Sequence, residues 1–189
     1  IYLSSRHLSR ISKINYNTKD IDWNIGLEMP SGDTTLGNDL KFSFQHSLHK
    51  SNSYPSCLVT LDNGNISEQI LDTDYPTTRA LLLCYDENID NSPYIEWEYS
   101  LPENYFGFAS GNVQILNNGN FLITTVGDGG SVLEINFQKN IVWEGKLNLQ
   151  LPNGAVYRAN RIAGLYPNNY SIILIKEQML QKYMLYSKI

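Results

Sequence analysis

The sequence predicts an all-β chain, and three observations carry that reading. Short apolar runs punctuated by Gly, Asn, Asp and Pro recur along its length, the pattern that strands and tight turns produce. No long stretch shows the i, i+3, i+4, i+7 spacing of an amphipathic helix. The pattern Ile-x-Trp recurs at Ile21-Asp22-Trp23, Ile95-Glu96-Trp97 and Ile141-Val142-Trp143, each time closing a segment rich in strand formers. Trp23 and Trp97 are 74 residues apart (97 − 23), and Trp97 and Trp143 are 46 apart (143 − 97). The second interval matches the roughly 40 to 50 residues of a four-stranded propeller blade, and the first is one blade plus a long insertion. The expected architecture is a partial β-propeller over residues 1–189, with repeats ending near Trp23, Trp97 and Trp143 and about three to four blades present.

The elements follow in order. Ile1-Tyr2-Leu3 reads as strand interior, so the sequence is expected to begin mid-protein with any export signal upstream. Strands are expected at 56–61, 79–85 and 94–99, where apolar and aromatic residues run between turn formers. Residues 111–143 show one unit most clearly, with strands at 112–116, 121–126, 131–137 and 141–145. The turn Asn117-Asn118-Gly119-Asn120 and the loop Gly127-Asp128-Gly129-Gly130 separate them. Asn-Gly suits turns that need positive φ, and it recurs at Asn63-Gly64 and Asn153-Gly154. A further strand is expected at 170–175, and 176–189 reads as a closing strand or a short helix. Cys57 and Cys84 each lie in an apolar β-like run, compatible with two buried thiols or with a disulfide between neighbouring strands.

With 42% hydrophobic and 17% charged residues, the composition is that of an ordered globular chain. A net charge of −5 argues against nucleic acid as a partner, because non-specific binding needs a surplus of Lys and Arg. No apolar run approaches the roughly 18 to 20 residues of a transmembrane helix.

His7, His46 and His49 are the three histidines, and their contexts differ. Ser4-Ser5-Arg6-His7 follows a strand, and Gln45-His46 lies three residues before His49. In order along the chain come Ser-Ser-Arg-His, Ile-x-Trp-x-x-Gly at Ile21 to Gly26, Gln45-His46, Leu61-Asp62-Asn63-Gly64 and Thr78-Arg79-Ala80. Gly111-Asn112-Val113-Gln114, Asn118-Gly119-Asn120 and Tyr157-Arg158-Ala159-Asn160-Arg161 continue the series. Each motif alone is weak, but the ordered series resembles the bacterial arylsulfotransferase family of β-propellers, to about Pro167.

That resemblance implies a six-bladed propeller in the full protein and an active site in its central channel. It implies transfer of a sulfuryl group from a phenolic sulfate donor to a phenol acceptor, with no nucleotide donor, cofactor or metal, in the periplasm or outside the cell. The residue types suit the chemistry. An Arg fork and imidazolium donors bind charged sulfate oxygens, and a neutral imidazole can attack sulfur while another protonates the departing phenolate. Carried onto this sequence, the resemblance makes His46 and Arg79 the expected catalytic residues and Arg6, His7, Asp62 and Asn63 the expected substrate-binding ones. Asp62-Asn63-Gly64 also reads simply as a hairpin turn. Two departures stand out: the resemblance puts a first channel histidine just upstream of Ile1 and its nucleophilic histidine after Arg79, yet no histidine follows His49, and near 127–130, where that position falls, Asp128 is the ionisable residue. A carboxylate there would repel an anionic donor. The rival reading is therefore a non-catalytic propeller that binds a ligand or protein partner.

Other motif matches carry little. Ser47-Leu48-His49-Lys50 has the letters of a penicillin-recognising motif but is followed by Ser-Asn-Ser-Tyr-Pro instead of a helix. Asp86, Asn88 and Asp90 have calcium-loop spacing, yet Asn91 stands where the loop needs Gly and Trp97 where it needs Glu. Asn65-Ile66-Ser67 and Asn169-Tyr170-Ser171 are glycosylation sequons in form only. Trp23, Trp97 and Trp143 are expected to fill the space between blades.

Overall fold

Three antiparallel sheets follow one another along the chain, each a meander in which successive strands pair. The computed structural model describes residues 1–28, 36–85, 92–149 and 154–162 and the strands at 170–177 and 180–187. The first sheet holds β1 (Tyr2–Ser5), β2 (Arg10–Ile14) and β3 (Ile21–Gly26). The second holds β4 (His46–Lys50), β5 (Cys57–Asp62), β6 (Arg79–Cys84) and β7 (Tyr94–Ser100), with the four-residue helix α1 (Ser67–Ile70) between β5 and β6. The third holds β8 (Asn112–Ile115), β9 (Phe121–Thr125), β10 (Ser131–Ile135) and β11 (Ile141–Lys146). β12 (Tyr170–Glu177) and β13 (Leu180–Ser187) pair as a hairpin. The all-β expectation holds. The loop with Asp86, Asn88 and Asp90, and the Asn153 turn residue, lie outside the described residues.

The Ile-x-Trp repeat has one structural cause in all three sheets. Trp23 pairs with Lys13 and Ile21 with Ile14, which leaves Asp22 as an extra residue. Trp97 pairs with Leu82 and Ile95 with Leu83, leaving Glu96, while Trp143 pairs with Glu134 and Ile141 with Ile135, leaving Val142. The middle residue is thus a β-bulge at the same place in the last strand of each sheet, where the added twist re-aims the tryptophan.

Strand β6 shows how the sheets pack. Ala80, Leu82 and Cys84 enter one core with Val59, Leu61, Trp97, Val113, Phe121 and Ile123. Leu81 and Leu83 enter another with Ile11, Ile25, Leu40, Phe42, Leu58 and Tyr85. Successive side chains of a strand point to opposite faces, so a strand covered on both faces needs the unbroken apolar run Ala80-Leu81-Leu82-Leu83. The second sheet is packed between the first and the third.

The bulged tryptophans fill these interfaces. Trp97 stacks on Phe121 at a ring separation of 3.7 Å, and Trp23 packs edge-on against Tyr85 at 5.2 Å. Trp143 is 48% exposed, and what lies over its ring is the Arg161 guanidinium, 5.9 Å from the ring centre, instead of a stacked aromatic side chain. Cys57 and Cys84 sit opposite each other on β5 and β6 with Cα atoms 4.1 Å apart and are joined in a disulfide.

Candidate functional site

His46 opens β4, and the pairing of β4 with β5 slips between His46 and His49 around Ser47, whose φ is +61°. Gln45 anchors this point. Its side chain is buried and donates to Ser4 Oγ and to the Arg10 carbonyl, both at 3.0 Å, tying the start of β4 to the first sheet.

Asn63 then fixes the imidazole. Its Nδ2 donates to the carbonyls of Gly107 (2.6 Å) and Ser110 (3.1 Å). Two carbonyl acceptors decide which end of the amide is nitrogen, so Oδ1 faces His46 and can only accept. Nδ1 of His46 therefore carries the proton and donates across 2.6 Å. A neutral ring in this tautomer holds its lone pair at Nε2, which has no partner among the described residues.

Asp62 and Asn63 are neighbours with opposite commitments. Asn63 turns to the 107–110 loop, whereas Asp62 turns to the 40–43 segment and accepts the Ser43 N–H (2.8 Å) and the Gly64 N–H (2.9 Å). Gly64 is required here, because its φ is +68° and a Cβ would lie 1.8 Å from the Thr77 carbonyl oxygen. Arg79 donates to Asp62 from Nε and Nη2, both at 2.8 Å. Its Nη1 reaches Glu98 (3.0 Å), and Nη2 also reaches the carbonyls of Leu40 (3.2 Å) and Lys41 (2.9 Å). The guanidinium is buried with its fork filled by protein acceptors. Burial pushes the Asp62 carboxyl up to about 6, against the pull of Arg79 and the two N–H donors.

Arg6 is placed differently. It lies in the 3-10 turn Arg6–Leu8 that leaves β1, with its guanidinium 4.9 Å from the centre of the Phe44 ring. Nη2 donates to the Phe108 carbonyl (3.0 Å), and Nη1 donates to Nε2 of His7 (2.9 Å). It has no carboxylate partner among the described residues. Asn65 donates to the same Phe108 carbonyl. The 107–110 loop thus anchors both the His46–Asn63 pair and the Arg6–His7 pair, whereas Arg79 pairs with Asp62 on the other side of the strand end. Asp128 sits in the Gly127–Gly129 turn, ion-paired with Lys146, and lines a cavity of about 290 Å³ with Phe108. Among the described residues no group of three His, Cys, Asp or Glu side chains could hold a metal, and no helix is long and apolar enough to cross a membrane.

Sequence reasoning missed the 107–110 loop and Phe44. The loop acts through backbone carbonyls, with Ser110 at φ +56°, and Phe44 acts through its ring against Arg6 and His7 from a backbone at φ +56°, which residue types do not announce. The motifs Gly-Asn-Val-Gln and Tyr-Arg-Ala-Asn-Arg meet directly. The side-chain amide of Asn112 bonds the Ala159 backbone in both directions, and that of Gln114 does the same at Arg161. Alternate side chains of β8 so replace a strand partner for residues 159–161.

This is a chain of repeated antiparallel meanders whose polar motif residues gather on the first strands and the loops beside them. Residues 1–148 match the family model described as arylsulfotransferase (ASST), and the chain belongs to that family. No curated protein and no solved structure matches it.

Proposed function

We propose that the chain forms part of a β-propeller aryl-sulfate sulfotransferase, which moves a sulfuryl group from a phenolic sulfate ester to a phenol without a nucleotide donor. The repeated meander supports the propeller, as does the contact of β4 with both β1 and β8, which brings the first described strands of successive sheets together. One observation carries the catalytic reading. No histidine follows His49 to serve as the nucleophile that the resemblance places after Arg79, and His46 takes that part instead: the Asn63 hydrogen bond holds it with Nδ1 protonated and Nε2 open, the tautomer a nucleophile needs.

Nε2 attacks sulfur, the bond from sulfur to the aryl oxygen breaks, and its electron pair leaves on the phenolate, whose charge the Arg6 guanidinium offsets. The acceptor phenol then attacks the sulfohistidine, releases its proton to water, and returns the N–S electron pair to Nε2. Arg6 and His7 bind the sulfate oxygens. Arg79 is a positioning residue that acts through Asp62 and, one residue on, Asn63. A location outside the cytosol accords with the Cys57–Cys84 disulfide.

The full-length protein, given 4-nitrophenyl sulfate and phenol, should release nitrophenol. His46→Ala should lower the rate on the order of 10³-fold or more, and Asn63→Leu about 10²-fold through loss of the tautomer. Release unchanged by His46→Ala sinks the catalytic role. A non-catalytic ligand-binding propeller is the second reading, favoured by the Asp128–Lys146 ion pair where the resemblance expects a histidine. Binding of 4-nitrophenyl sulfate with no turnover by the wild type would select it.

A further inference from the structure

Away from His46, the far end of β4 faces β8 and the 154–162 segment across a polar cavity of about 310 Å³, lined by Ser47, His49, Asn112, Gln114, Arg158 and Asn160 among others. A second cavity of about 250 Å³ adjoins it through His49 and Gln114 and adds Lys50. Neither lining holds a carboxylate, although acidic residues outnumber basic ones 19 to 14 in the chain. Arg158 has no ion pair among the described residues; its guanidinium lies 5.2 Å from the centre of the Tyr157 ring. The neighbouring Arg161, by contrast, is neutralised by Glu134 at 2.6 Å. His49 has Nδ1 directed at the Ser47 carbonyl, which leaves Nε2 for a ligand.

We infer that this cavity is a second oxyanion subsite, in which Arg158 and His49, with Lys50 at its edge, hold a sulfate or carboxylate group. The chemistry is that of a site with its positive charge in place and its counter-charge missing. Asn112 and Gln114 clamp the backbone at Ala159 and Arg161 and the Gly111 N–H donates to the Tyr157 carbonyl at 3.0 Å, so the backbone is fixed on both sides of Arg158 and less of its freedom is left to lose on binding. His49 is held below its ordinary value, first by burial and further by repulsion from Arg158, against the Ser47 carbonyl, which raises it. The other charged group beside it is Lys50, on its own strand, and β8 contributes only the neutral Asn112 and Gln114. An arriving anion reverses that balance, so binding takes up a proton at His49.

The subsite stands independently of the transfer reaction, and its test separates the two. Inorganic sulfate and 4-hydroxybenzoate are titrated calorimetrically into the full chain and into His46→Ala, which lacks the proposed nucleophile. At least one probe should bind equally to both proteins, and the one that binds names the oxyanion. Arg158→Met should weaken binding by about tenfold or more, as loss of a charge-assisted pair does. Affinity should rise as pH falls from 8 to 6, by up to about tenfold per unit, and His49→Gln should flatten that rise. Binding by neither probe, binding unchanged in Arg158→Met, or equal loss in His46→Ala overturns the inference.

Discussion

At the scale of single residues, the division between Asp62 and Asn63 organises the site. Arg79 and Asp62 form a buried pair, and breaking such a pair from one side costs about 3–5 kcal/mol because the remaining charge is stranded. Arg79→Met should therefore lose about that much stability in chemical denaturation, rather than raise KM in a protein of unchanged stability. Asp62 adds a pH dependence. Its folded value of about 6 lies above the unfolded 3.8, so the folded chain keeps a proton that the unfolded chain releases. That contribution is fully present below about pH 4 and is lost as pH rises through 6, a change of about 3 kcal/mol. The stability of the wild type minus that of Asp62→Asn should fall by most of this amount between pH 4 and 7. A flat difference would show that Asp62 is ionised throughout. The resemblance marked His46 and Arg79 as catalytic and Arg6, His7, Asp62 and Asn63 as substrate-binding, since each lies in a motif. It did not reveal that His46 with Asn63 and Arg79 with Asp62 form two pairs facing opposite ways, because that depends on which face each residue takes where β5 ends.

At the scale of elements, Ile-x-Trp is a bulge signature, and its three copies differ in what covers them. Trp97→Ala should cost about 3–5 kcal/mol, the usual price of a buried aromatic, because its ring lies on Phe121. Trp143→Ala should cost under about 1 kcal/mol in the same chain, since its ring is half exposed. Thermal or urea unfolding of the two variants checks the contrast, and equal losses would mean that something covers Trp143 in solution. Strand positions were legible because apolar runs and Asn-Gly turns state them directly, as in residues 111–143. The bulge was not, since an extra residue changes register without changing composition. Nor was the docking of Asn112 and Gln114 on residues 159–161, in which side chains do work usually done by backbone.

At the scale of the whole molecule, the disulfide closes the β5–β6 connection, with its cysteines 27 residues apart. A loop of that size lowers the entropy of the unfolded chain enough to stabilise the fold by about 3–4 kcal/mol. Cys57→Ser with Cys84→Ser, or reduction, should shift the denaturation midpoint accordingly; an unchanged midpoint would leave the link without a stabilising role. Both cysteines were visible in the sequence, but their register was not, because pairing depends on which residues of β5 and β6 stand opposite. β6 itself has a further consequence. Its side chains belong alternately to two cores, so its amides can open only when the first and third sheets both let go of the second. Hydrogen exchange should therefore be slowest at Leu81 and Leu82, at the free energy of global unfolding, and faster in β3 and β11. The strand acts as a clock for the molecule, since its exchange rate records how often all three sheets come apart together.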